Sequence, residues 1–496
     1  MTSNWINWVV LGISVFVLVA LGLISSRRVC NSKGEGGFLL AGRSLGPVVG
    51  AASIVATGYS GWGFMGSPGV AYKYGTIEIL GNFLYAPAMC LAVLFFASFL
   101  YRRALKMGSL TIPEYIARSH AGSPALTRFI HGFAALATAL LLLIFLVGQL
   151  RAMGMLGASW LGISMNHAIV LMIGIIILYT TLGGMAAVAW TDTLMVAGMT
   201  AAAVFIAHRI FSDVSPTELL TQLEAIEPTL VDPETAAPYG DSRFQVFMIF
   251  PYAFLFSAIL PYMSIRFLAF RKDVKIHQVA LIMAPIACLL SLVPIVGLYV
   301  RIRHPELGNA DNAMPYFLAN FVSPVASGLI TLFIIFAMKS TASSVLQVSS
   351  SALSHDLRVA LCPNRHLSQK HALRFNRLIL ACLGGVTLLM TLYAPPVMLS
   401  LFAITATGTL MATLIGPVLI SSFLPGNAAG ALASMVTGFS LSGGLLLFTN
   451  TGWVEAPLVG CLVSSIIYVV VSRLNRMETL LVGKPQLLTL AESGSH

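Results

Sequence analysis

Charged residues are scarce in this chain. Asp, Glu, Lys and Arg make up 9% of its 496 residues, against roughly 25% in an average soluble domain, which argues against a water-soluble enzyme. Cysteine is sparse as well. The six, Cys30, Cys90, Cys288, Cys362, Cys382 and Cys461, are far apart, so neither a disulfide framework nor a zinc site is expected. No GxxxxGK[ST], HExxH or GxSxG occurs, which leaves an ATP-driven pump or a membrane hydrolase without a signal. No enzyme activity and no cofactor is therefore expected. The net charge is +10, yet no basic run is longer than a pair, and a nucleic-acid partner is not indicated.

Apolar residues are abundant: 57% of the chain, with a mean hydropathy of +0.88. Apolar stretches long enough to cross a bilayer fall at 5–25, 45–72, 76–101, 127–156, 165–186, 189–211, 244–268, 276–301, 323–354, 372–394, 396–424, 428–449 and 455–474. The expectation is an all-α, polytopic membrane protein of about thirteen transmembrane helices, forming one domain over 1–496. The odd number puts the termini on opposite sides of the lipid bilayer. With the N-terminus outside, 21 of the 28 Lys and Arg residues fall on the inner side, as translocation of cationic loops is disfavoured. That predicts a multi-pass protein of the cell membrane with a short cytoplasmic tail, 475–496. Oligomeric state is not legible.

Glycine and proline break two of these spans. The second holds Ser60-Gly61-Trp62-Gly63 and then Gly66-Ser67-Pro68-Gly69; the seventh holds Pro251 and Pro261. Proline removes a backbone donor and glycine does not hold a helical turn. Broken helices at membrane depth are tolerated where they line a cavity. The two interruptions lie five spans apart, as in transporters built from two inverted repeats, here 45–211 and 244–424.

Several ordered segments carry a resemblance to a known family. They are Phe38-Leu39-Leu40-Ala41-Gly42-Arg43-Ser44-Leu45-Gly46, Thr111-Ile112-Pro113-Glu114-Tyr115, the run from Tyr179 to Asp192, Asp311-Asn312-Ala313-Met314-Pro315, and Ser349 to Asp356. In these the chain resembles the sodium/solute symporter family, nearest to its sodium/proline group. The resemblance implies a LeuT-type fold with a 5+5 inverted repeat and cation-coupled solute uptake by alternating access. It also implies sodium held by Ala56 and Tyr59 of span two with Ala337, Ser340 and Thr341 of span nine, sodium being the only metal. Solute contacts would come from Ser60, Gly61, Trp62, Ser257 and Pro261.

Three departures bear on that reading. Proline-type members carry an aspartate where this chain has Gly58, and no acidic residue is expected at the midplane, since Glu78, Asp192 and Glu455 fall at span ends. Members of that group also have an aromatic pair where this chain has Ala253 and Ser257, which predicts a larger pocket. Lys339 sits mid-span beside Ser340, where a charge is costly and is by default a functional signal. It has three competing roles: a coupling group exchanging a proton, a partner for an anionic solute, or a structural lysine. Arg151, with Gln149, would hold a solute carboxylate, unless it reaches the outer headgroups. The expected function is symport of a small organic solute, an amino acid or carboxylate, with sodium as the leading coupling ion. Its alternatives are a proton-coupled or sodium-independent carrier using Lys339, or a transporter-like sensor signalling through a partner.

Overall fold

The computed structural model describes residues 4–25, 31–232, 247–364, 367–395 and 397–482. Arg27, Arg28, Cys30, Glu234, Asp241, Arg243, Arg365, Lys484, the start of the seventh span and the tail beyond 482 lie outside the described residues.

The described chain is helical. In order the helices are α1 (Asn4–Ser25), α2 (Asn31–Leu40), α3 (Pro47–Gly58) and α4 (Ser67–Tyr74), α5 (Ile77–Met107), α6 (Ile112–Ser119), α7 (Pro124–Leu161), α8 (Met165–Phe211), α9 (Pro216–Ile226), α10 (Ile249–Ile259) and α11 (Pro261–Leu268). There follow α12 (Ile276–Arg303), α13 (Ala313–Asn320), α14 (Pro324–Leu361), α15 (Gln369–Leu392), α16 (Leu399–Phe423), α17 (Ala428–Phe448) and α18 (Glu455–Val482).

Ten of the described helices are long and apolar enough to cross a membrane, or eleven with α10 and α11 taken as one bent span. That is fewer than the thirteen expected, for two physical reasons. The halves of the 45–72 span, α3 and α4, are each too short to count. The 165–186 and 189–211 segments run on without a loop as α8, which has 47 residues and would be about 70 Å long if straight, more than twice the hydrocarbon thickness. It turns at Gly184, whose φ is 57° and ψ −161°. A side chain there would collide with Phe38, so only glycine permits both the turn and the approach of α2.

Local chemistry sets the other boundaries. Pro47 opens α3 after the extended Gly46, and the helix ends at Tyr59 (φ −94°, ψ 41°). The wide turn Trp62–Gly66 then leads directly into α4. Gly61, Gly66 and Ser67 all keep right-handed helical dihedrals leading up to Pro68, so the interruption is at 59–61 and not at Pro68. Leu260 is extended (φ −61°, ψ 126°), and α11 departs from α10 at 56°. α6 is capped at its start: the N-cap Thr111 hydroxyl accepts from Glu114 N–H (3.1 Å) and the Glu114 carboxylate accepts from Leu110 N–H (2.8 Å).

One end of the bundle is closed by contacts between the two broken spans. Leu45 N–H donates to Ala269 O (3.1 Å) and Arg271 N–H to Leu45 O (2.9 Å). Arg43 donates to Leu268 O (3.2 Å) and Ser109 O (3.0 Å), and the Phe270 ring fills the space over Gly50. At the same end His355 pairs with Glu35 (3.0 Å) and Glu114 (3.5 Å). Burial opposes the ionisation of Glu114, but His355, the Leu110 N–H and Arg118 outweigh it and hold the carboxyl down to about 2.

Candidate ion and solute site

The break between α3 and α4 leaves backbone groups without helical partners, and Gln149 of α7 takes them up. Its Oε1 accepts from Gly61 N–H (3.0 Å) and its Nε2 donates to Ser60 Oγ (3.3 Å). Ser60 Oγ also accepts from Trp62 N–H (3.4 Å). A side chain on Gly61 would meet Gln149 and Met338. Gln149 thus holds open an unwound segment that apolar neighbours alone would not stabilise.

Beneath the break, α14 brings hydroxyls to the last carbonyls of α3. Thr341 Oγ1 lies 3.4 Å from Ala56 O and 3.3 Å from Thr57 O. Ser340 Oγ donates to Asp192 of α8. Asp192 is fully buried and accepts from Ser53 Oγ (2.5 Å) and from Arg266 Nη2 (3.5 Å). Arg266, also fully buried, reaches Ser53 (2.7 Å), Ser344 (2.8 Å) and the Tyr262 carbonyl.

This corrects the expectation that no carboxylate reaches the centre. Asp192 was read as a span end because the sequence divides 165–186 from 189–211, whereas α8 runs through both and turns at Gly184. The part of α8 beyond Gly184 carries Asp192 to Ser340. The available signal was its pairing in kind with Arg266, another charge inside an apolar stretch.

Lys339 faces elsewhere. Its side chain is buried, with Nζ 5.7 Å from the Tyr179 ring centroid and 5.6 Å from that of Phe336. Among the described residues it makes no hydrogen bond or ion pair. Tyr179 in turn bonds Thr191 (2.5 Å).

Beside the break lies a cavity of about 90 Å³, bounded by Tyr59, Ser60, Trp62, Glu78, Asn82, Tyr85, Tyr252, Ala253, Phe256 and Thr407 among others. Ala253 lines it, whereas Ser257, on the same helix and fully buried, does not, and Pro261 opens α11 at the break. Around Ala253 the rings of Tyr85, Tyr252 and Phe256 line the cavity. The Tyr85 hydroxyl lies 2.8 Å from where a Cβ on Gly58 would stand, with Met89 Sδ at 3.0 Å, so an aspartate there has no space. Glu78 is a second carboxylate that sequence placed at a span end and the fold turns inward: it is fully buried and lines this cavity.

The pairing of Arg151 with Gln149 is also corrected. Two residues apart, they point about 200° apart on a helix. Arg151 donates to the Ala394 carbonyl (3.5 Å) and that of Pro395, and lines a separate cavity of about 740 Å³ with Lys73, Arg301, Asp311 and Leu399. In that cavity Asp311 Oδ2 accepts from Leu399 N–H (3.0 Å), while buried Oδ1 has no hydrogen-bond partner among the described residues. Burial pushes the Asp311 carboxyl up to about 6. The folded protein therefore holds a proton that the unfolded chain, with an ordinary value of ~3.9, has released, and stability falls as pH rises between about 4 and 6. Melting curves of the purified protein should show this fall, and Asp311→Asn should remove that component; an unchanged profile would contradict the burial of Asp311.

Comparison with known proteins places this geometry. The family model described as "Sodium:solute symporter family" matches residues 38–438. The chain belongs to the sodium:solute symporter family. Among curated members of the family, a sodium/pantothenate symporter of Haemophilus influenzae is 24% identical over 90% of this chain and 91% of its own length. The high-affinity proline transporter of Bacillus subtilis is 25% identical over 88% and 90%. Among solved structures, a Na+-coupled sialic acid symporter in a substrate-bound outward-open state aligns with a TM-score of 0.75, at 18% identity, over 95% of this chain and 98% of that one. That likeness shows the fold, which is of the LeuT type. The protein is a multi-pass membrane protein of a family of transporters, not of enzymes.

Proposed function

We propose that this symporter-family member imports a small organic solute coupled to sodium, by alternating access between two five-helix units, 45–211 and 244–424. The observation that carries this is the oxygen cluster where α14 meets the end of α3: the Thr341 hydroxyl against the Ala56 and Thr57 carbonyls, with Ser340 beside it on Asp192. Sodium is a hard cation and favours several oxygen ligands; hydroxyls and freed carbonyls supply them without further charge. Ala56, Tyr59 and Ala337 contribute carbonyls in this reading, and Ser340 and Thr341 hydroxyls. Ser60, Gly61 and Trp62 face the solute, with Gln149 holding them in place. The N-terminus lies outside and the C-terminus in the cytoplasm.

The test is uptake of labelled proline and pantothenate into proteoliposomes under a sodium gradient alone or a proton gradient alone. Accumulation with sodium alone is the expected result; accumulation with protons alone would overturn it. In the same assay Lys339→Met should retain sodium-driven uptake, because Nζ rests on the Tyr179 and Phe336 rings. Loss of the sodium response with intact folding would return Lys339 to the coupling role.

A further inference from the structure

We infer that a polar pocket where α1, α7 and α14 meet binds the headgroup of a membrane phospholipid, one that ends in a glycerol with two neighbouring hydroxyls. This site is independent of the symport reading. The pocket has a volume of about 200 Å³ and shares no residue with the cavity beside the break. Its level in the bundle is set by α14. His355 of that helix lies at the end closed by Leu45 and Ala269, and Ser327 on the pocket wall precedes it by about 40 Å of helix. The pocket is therefore at the opposite end, roughly 20 Å along α14 from Thr341.

The wall calls for a hydroxyl. Trp160, near the end of α7, is 6% exposed, and its Nε1–H has no hydrogen-bond partner among the described residues, although buried polar atoms are normally paired. It faces Gly328. A Cβ built on that glycine would lie 3.6 Å from Trp160 Nε1 and 3.3 Å from Asn7 Oδ1, so a donor and an acceptor converge on one point. Asn7 is fixed there by its Nδ2, which donates to the Trp160 carbonyl (2.7 Å). An alcohol oxygen satisfies both groups, accepting from Trp160 and donating to Asn7. Ser159, Ser327 and Thr331 add further hydroxyls to the wall. Helical hydroxyls commonly turn back on their own backbone, as those of Thr387, Thr391 and Thr407 do; these make no side-chain hydrogen bond among the described residues.

Charge and position narrow the occupant. No charged side chain is among the described residues of the wall, and an ammonium headgroup would bring only donors to Trp160, which itself can only donate. Large apolar side chains beside the pocket are exposed: Trp5 and Trp8 on either side of Asn7, and Val325 and Leu329 on either side of Ser327. Exposed tryptophans near a helix end mark the level of the headgroups. A volume of about 200 Å³ corresponds to roughly six or seven waters at ~30 Å³ each, which suits a glycerol group and leaves the acyl chains outside against the apolar surface.

The experiment is thermal unfolding of the purified, delipidated full chain in detergent micelles, with phosphatidylglycerol, phosphatidylethanol or phosphatidylethanolamine of identical acyl chains added at rising mole fraction. Phosphatidylethanol carries the same anionic phosphate and lacks the two hydroxyls. Phosphatidylglycerol should give equal stabilisation at a mole fraction about fivefold or more below either of the others, the equivalent of one hydrogen bond. Trp160→Phe keeps a ring and removes the donor. It should bring phosphatidylglycerol to the level of phosphatidylethanol and leave the effect of phosphatidylethanol unchanged. Gly328→Ala, whose Cβ occupies the point of convergence, should do the same and supplies the reading if Trp160→Phe fails to fold. A purely structural Trp160 would lower the melting temperature alike in every lipid and keep their ratio intact, which overturns the inference. Equal stabilisation by phosphatidylglycerol and phosphatidylethanol, or a preference that survives both substitutions, also overturns it. So does free glycerol that stabilises at the same hydroxyl concentration as phosphatidylglycerol, because the pocket would then take a soluble polyol and not a lipid.

Discussion

Thr341→Ala is expected to reduce apparent sodium affinity by about tenfold or more, the equivalent of losing one ligand interaction of ~1.4 kcal/mol, while protein yield and melting temperature change little. The hydroxyl spans the gap between α14 and α3, 3.4 Å from Ala56 O and 3.3 Å from Thr57 O, and its loss removes an oxygen without creating a charge. Thr341→Ser restores an oxygen at the same position and should restore most of the sodium response. Ser340→Ala acts on a different partner, since its hydroxyl donates to Asp192, and should add to the loss. Sodium titrations of labelled solute uptake measure all three. Unchanged sodium dependence in Thr341→Ala would remove this cluster from the coupling site.

The second large effect concerns stability. Arg266→Met leaves the Asp192 carboxylate, fully buried, with hydroxyl donors only. Removing one partner of a buried pair costs on the order of 3–5 kcal/mol. Asp192→Leu leaves the Arg266 guanidinium, also fully buried, with only the neutral oxygens of Ser53, Ser344 and Tyr262. The double variant removes both charges and should be more stable than either single one. Thermal unfolding in detergent measures this cycle. Simple additivity of the two losses would show that the 3.5 Å contact carries no coupling. Sodium-dependent uptake should nevertheless fall in the double variant, because Ser340 loses its acceptor.

These residues show how far sequence alone reached. The apolar runs gave an all-α membrane protein because a bilayer imposes length and composition on every span. The Ser60-Gly61-Trp62 and Pro261 breaks were legible because glycine and proline act locally. The hydroxyl pair Ser340-Thr341 was legible through the family resemblance. Three-dimensional placement of polar side chains was not. Gln149 and Arg151 are neighbours in sequence and part company on the helix. Glu78 and Asp192 stood near span ends on paper and are fully buried in the fold. His131 and Asp356, 225 positions apart in sequence, pair at 2.9 Å, and Thr111 bonds the same oxygen at 2.6 Å.

Sequence by itself determined the solvent this protein folds in, the approximate position of its spans, the two places where helices break and the family to which it belongs. Each follows from composition or from short motifs whose effect is local. Tertiary structure alone decided which charges meet in the interior, which rings close the cavity and which way Lys339 turns. Those outcomes depend on helix rotation and on the turn at Gly184, where a single residue with φ of 57° brings Asp192 to Ser340 across 148 positions of sequence. Pairing over such separations is set by the packing of whole helices, which no local pattern encodes.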